Sequence, residues 1–228
     1  LKWDPDAGPA LEAEVRELRV GDPANPLLRL EEPFSLRWRG SPRTTLLLSS
    51  TAFRGTAGQL QLHAGLHGPG SGQATVVGAR LDPGTLREWW VGAPGWTRSL
   101  QIPRVELDAR WTNHLVDARG ILAMGFTLPE FGALSVDTAL VASPDGIRVH
   151  HLHVAREGSA PVTLAARVPA GLRLEQGGLV WTDTGTPLQG TLEAPTAAWP
   201  WAVARDLLGI HASSPVLRAA LRGSLSRP

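Results

Sequence analysis

The chain contains no cysteine, no tyrosine and a single lysine, Lys2. Without cysteine there are no disulfides, no thiolate nucleophile and no thiolate-ligated metal, although this alone assigns no compartment. Because Lys2 stands alone, arginine supplies every other fixed side-chain cation, a bias of the kind a GC-rich genome produces. There is no excess charge of either sign. The 22 Lys and Arg against 21 Asp and Glu leave a net charge of +1, interspersed along the chain. That balance gives no reason to expect a nucleic-acid partner. There is also no unbroken apolar run. The best candidate, GILAMGFTLPEFGALSVDTALVA (120–142), is interrupted by Pro129, Glu130 and Asp137 and alternates in polarity, unlike a transmembrane helix. No signal peptide opens the chain. It begins LKWDPD, without methionine, and reads as a piece of a longer protein.

Period-two patterning dominates what is present. Leu60, Leu62, Ala64 and Leu66 share one parity, with Gln59, Gln61, His63 and Gly65 between them. Val105, Leu107, Ala109 and Trp111 alternate with Glu106, Asp108 and Arg110. The scheme continues through Val116, Ala118, Leu122, Met124 and Phe126, then Leu134, Val136 and Leu140, then Val162, Leu164, Ala166 and Val168. Such alternation marks strands with one apolar and one wet face, as antiparallel sheets have. Turn signals punctuate the runs: GDPANP (21–26), GPGSG (68–72), SPDG (143–146), EGSAP (157–161), EQGG (175–178) and TDTGTP (182–187). The spacing predicts a meander of about fourteen short strands. A sealed sandwich and an open, curled sheet share this period, so alternation does not choose between a core and a groove.

Two segments break the rhythm. In LDPGTLREWWVG, Asp82 caps a short helix with Pro83 at its first position, and Leu86, Trp89 and Trp90 form a stripe ended by Gly92. In TAAWPWAVARDLLG the stripe is Trp201, Ala204, Leu207 and Leu208, with Gly209 as the stop. Each helix would plug an apolar opening or cover a sheet edge. Trp89, Trp90, Trp199 and Trp201 fall in these segments. Their rings suit core packing, a partner surface or a lipid–water boundary.

Catalytic chemistry finds little support. No G-x-S-x-G elbow exists, and no serine–histidine–aspartate set stands out. HGPGSGQ (67–73) has the wrong spacing for a dinucleotide fingerprint, and the P-loop lysine is missing, so it reads as a hairpin turn. Glu12 with Glu14, and Glu106 with Asp108, are i, i+2 carboxylates on a wet strand face, read as solubilising charge. The sharpest polar cluster is HHLH (150–153). On a strand His151 and His153 share a face, and such a pair can hold zinc if a third ligand comes from His63, His67, His114 or a carboxylate. Solvent-facing histidines are the competing explanation. The expectation is no enzyme, no catalytic residue, no cofactor and no metal, with a secreted metal-dependent enzyme as a distant alternative.

Two closing phrases carry a resemblance. TGTPLQGTLEAP ends in GTLEAP (190–195) and LRAALRGSLSRP in GSLSRP (223–228), both Gly-[Ser/Thr]-Leu-x-x-Pro, with a tryptophan-rich helical segment between them. Glycine permits tight curvature and proline stops a strand. With GIRVHHLHVAREGSAPVTLAARVPAG (146–171) and the LDPGTLREWW interruption, the pattern resembles the AsmA-like superfamily of bacterial envelope proteins, most closely its TamB branch. That resemblance implies a long curved antiparallel sheet forming a U-shaped groove, with two short helices. It implies one repetitive groove region over 1–228, with possible sub-units 1–99 and 100–228. The implied function is a lipid conduit between inner and outer membranes, in the periplasm, anchored to the inner membrane through a part of the parent chain not present here. Its implied partners are phospholipid acyl chains and an outer-membrane β-barrel assembly protein. The alternative is an assembly module that takes client β-strands at open sheet edges. The groove residues would be Leu60, Leu62, Leu66, Val105, Leu107, Trp111, Leu122, Met124, Phe126, Leu134, Val136, Leu140, Val162, Leu164 and Val168.

Overall fold

A computed structural model of the 228-residue chain describes residues 3–4, 8–22, 24–40, 44–68, 70–83, 95–175, 178–209 and 213–223. The strands are β1 (Trp3–Asp4), β2 (Gly8–Val15), β3 (Arg19–Gly21), β4 (Pro26–Leu30), β5 (Phe34–Arg39), β6 (Thr45–Gly55), β7 (Gly58–His67) and β8 (Gly72–Leu81). A 3₁₀ turn (Gly95–Ser99) precedes β9 (Gln101–Thr112), β10 (Leu115–Leu128), β11 (Gly132–Ser143), β12 (Gly146–Arg156) and β13 (Val162–Val168). Then come β14 (Ala170–Glu175), β15 (Gly178–Asp183), β16 (Leu188–Ala194), the helix α1 (Trp199–Leu208) and β17 (Leu217–Gly223). The seventeen strands among the described residues exceed the expected number in part because β1 and β3, of two and three residues, are too short for alternation to register. The helix expected in LDPGTLREWWVG (81–92) lies, from residue 84 onward, outside the described residues.

The paired strands are all antiparallel, and they form one open, unclosed, groove-like sheet. From β6 to β13 each strand pairs with its successor, a plain meander in which each turn signal returns the chain beside itself. β13 then pairs with β16, and β16 with β17. On the other flank β6 takes β5 along its first half and β4 near its end, while β2 lies outside β5. β8 and β9 pair from Gly72–Trp111 to Leu81–Ile102, so the sheet runs unbroken across residue 99.

Register slips interrupt the long strands near their middles: Leu48/Thr51 in β6, Ala123/Gly125 in β10 and Val149/Leu152 in β12. An extra residue in one strand bends it and adds twist, which is how a flat ladder acquires curvature. The slip opposite Ala123 also accommodates Pro103, whose missing N–H would otherwise break the interior ladder between β8 and β10.

Two structures fold over opposite ends of the strands. At one end β14 crosses the β11–β12 turn and pairs with β10 through Leu115–Arg173. His114 ties this crossing down: its Nδ1 lies 2.9 Å from the Leu174 carbonyl, which belongs to the same residue whose N–H donates to the His114 carbonyl at 2.8 Å. Val116, Ala142, Gly146, Pro169, Ala170 and Gly171 are buried here. At the other end α1 begins at an uncapped Ala198 and stops at Gly209, whose left-handed φ of 65° lets its N–H reach back to Ala204 and Arg205. The Trp199 indole donates to the Val154 carbonyl at 3.1 Å and meets Phe131 edge-on at 5.8 Å. The Trp201 indole donates to Pro195 at 2.8 Å. These two tryptophans therefore seat the helix on the sheet.

Candidate functional site

Directly opposed residues of neighbouring strands point to the same face. The pairings can therefore be followed from strand to strand. One row reads Leu62, Val76, Leu107, Gly120, Leu140, Val149, Ala166, Gly190, Leu221. The next reads Phe53, Leu60, Gly78, Val105, Leu122, Thr138, Leu152, Leu164, Leu192, Ala219. A third runs Leu48, Ala64, Ala74, Ala109, Ala118, Ala142, Ile147, Val168. A fourth joins Leu46, Leu66, Gly72, Trp111 and Val116. Met124, Val136, Val154 and Val162 form a fifth, and Phe126 faces Leu134. All fifteen groove residues named from the sequence lie on this one face.

Among the described residues no second layer covers the middle of this face. Of those fifteen residues only Leu134 and Val136 are buried, at the end where α1 and the 3₁₀ turn gather; Leu66 and Leu107 are exposed, at 37% and 38%. The whole chain presents 14,724 Å² of accessible surface. A compact monomer of 24.3 kDa would present about 10,000 Å².

Small residues shape the floor. At Gly72 a Cβ would stand 2.5 Å from the Trp111 ring, so this glycine is where the indole lies against the sheet. Only one hydroxyl interrupts the floor without compensation: Thr51 is 4% exposed, and its Oγ1 has no hydrogen-bond partner among the described residues. Thr138, the other polar member, donates to the His151 carbonyl at 2.9 Å, a group freed by the β12 slip.

The opposite face holds the charge. Glu12 pairs with Arg37 across β2 and β5 at 2.7 Å, and Arg104 reaches Glu106 at 2.8 Å. Asp108 lies 4.0 Å from Arg119, its cross-strand neighbour. Such exposed pairs are worth at most about 1 kcal/mol each; they keep this side wet. It is not purely polar, since Leu47, Val77 and Val141 are also exposed on it. HGPGSGQ closes the β7–β8 hairpin as expected. His151 and His153 do share this face, and the third group brought to them is Asp137. His63 instead meets Gln73, and His114 is engaged at the β14 crossing.

Sequence reading passed over one exposed feature. In the β14–β15 hairpin Leu179 and Trp181 stand 60% and 64% exposed, opposite Leu174 and Leu172. The run GLVWTD is too short for its alternation to have flagged them. Among the described residues no helix is long and apolar enough to cross a membrane. Compared with known protein families, with characterised proteins and with solved structures, the chain matches none.

Proposed function

We propose that the chain is a segment of an AsmA-like, TamB-branch lipid conduit in the bacterial cell envelope, carrying phospholipid acyl chains along the apolar face of its sheet. One observation carries the reading: nine nonpolar residues and one threonine, Thr138, stand in register across ten consecutive sheet positions, from Phe53 in β6 to Ala219 in β17, and most of them are only partly covered. Nine strand spacings amount to about 43 Å along the sheet, more than the ~30 Å hydrocarbon core of a bilayer. An acyl chain lying there stays out of water, worth about 0.8 kcal/mol per methylene. No reaction is needed for that task. The test is native mass spectrometry of the gently purified chain. Copurified phospholipid that is lost in Leu107→Arg supports the conduit; a lipid-free wild type, with none taken up from vesicles, overturns it.

A second reading rests on β17, which has no strand on its outer side among the described residues, and on which Leu217 and Leu221 are exposed. An unpaired edge of this kind can take a client strand. Crosslinks to a client that map to Leu217–Gly223, and not to the Leu107 region, favour this assembly role.

A further inference from the structure

We propose that Asp137, His151 and His153 bind one divalent transition-metal ion, on the face of the sheet opposite the apolar groove. Three independent features of the backbone put these side chains together. The i, i+2 spacing places both histidines of β12 on one face. The β11–β12 register sets Asp137 directly across from His153 and Ala139 across from His151. The slip that follows, between Ala139 and Leu140, leaves His151 beside the end of the regular ladder, where its ring turns toward Asp137. The result is a His151 Nε2 to Asp137 Oδ1 distance of 2.9 Å, and imidazole rings of His151 and His153 stacked at 4.8 Å with 29° between their planes. One ligand atom from each residue lies within 4.8 Å of the other two.

The donor set fits the chemistry. Two imidazoles and a carboxylate suit zinc and its first-row neighbours, and metal–nitrogen bonds of about 2.0–2.1 Å put tetrahedral ligand atoms about 3.4 Å apart. Closing from the present spacing takes side-chain rotations of about 1 Å, open to residues that are half-exposed. A simple ion pair explains less. It uses His151 and Asp137 and leaves His153 stacked without a role, whereas a metal uses all three. Three protein ligands leave a coordination position for water, since no fourth histidine, cysteine or carboxylate joins the cluster among the described residues. The ion would clip β11 to β12 beside the bulge, and it would not compete with lipid on the other face.

The experiment is a calorimetric titration of the whole chain with zinc chloride at neutral pH, alongside X-ray absorption of the zinc-loaded protein. One equivalent should bind saturably, and the zinc edge should show two imidazole ligands. His151→Ala and His153→Ala should each weaken binding tenfold or more, and Asp137→Asn should weaken it measurably. His150→Ala, the neighbouring exposed histidine, should leave it unchanged. Absence of saturable binding overturns the proposal. So does binding that survives unchanged in the His151→Ala/His153→Ala double variant, which would mean an ion held elsewhere. Should a variant misfold, the absorption spectrum of the wild type decides alone, because fewer than two imidazoles contradicts the site.

Discussion

Leu107 sits on the apolar face between Val76 and Gly120 and is still 38% exposed. Leu107→Arg should therefore cost less than about 1.5 kcal/mol in chemical denaturation, because the guanidinium remains in water; in a sealed core an unpaired charge costs several. Gly146 is the contrary case. Its φ is 138° and a Cβ would stand 2.7 Å from the Val168 carbonyl. Gly146→Ala should destabilise by about 1–3 kcal/mol in the same measurement. Thr51 offers the opposite sign. Thr51→Val removes an unpaired buried hydroxyl at constant shape and should raise stability by about 1 kcal/mol. At this scale the sequence was informative about parity and silent about contacts. Alternation was enough to put Leu60, Leu107 and Leu164 on one face, since each residue's side follows from its neighbours. Asp137 could not be matched with His151 and His153 from the chain alone, because their meeting depends on a strand register set by the β11–β12 turn.

Elements were legible where their signals are local. SPDG and EGSAP bound β12 as expected, and Gly209 ends α1. The Asn113–His114 turn was not flagged: both residues have positive φ, 50° and 67°, without a glycine to announce it. The β14 crossing was equally hidden, because it depends on non-local bonds between His114 and Leu174. Trp199, outside the stripe read from the sequence, turns out to anchor α1 through Val154 and Phe131. Trp199→Ala should release the helix at a cost of about 2–4 kcal/mol. Hydrogen exchange should then quicken in 199–206 while the amides of β9 to β11 keep their protection. Equal acceleration throughout the sheet would mean that the helix supports the whole fold and does not merely cover one end.

A meander in which nearly every strand pairs with its chain neighbour extends in one direction and does not close on itself. For 228 residues a compact domain has a radius of gyration of about 17 Å. Small-angle scattering of this chain should give a clearly larger value, consistent with its accessible surface of 14,724 Å². Period two alone could not reveal this, since core and groove alternate alike; that the described strands form one open sheet is a property of their pairing as a whole. The most direct measurement is face-resolved photocrosslinking to phospholipid. A photoreactive residue is placed at Leu107, Leu122 or Leu164 on one side, and at Glu106, Arg119 or Thr163 on the other. Lipid adducts confined to the first three positions are the predicted result. Adducts from neither set, or equally from both, would contradict an open apolar face that carries lipid.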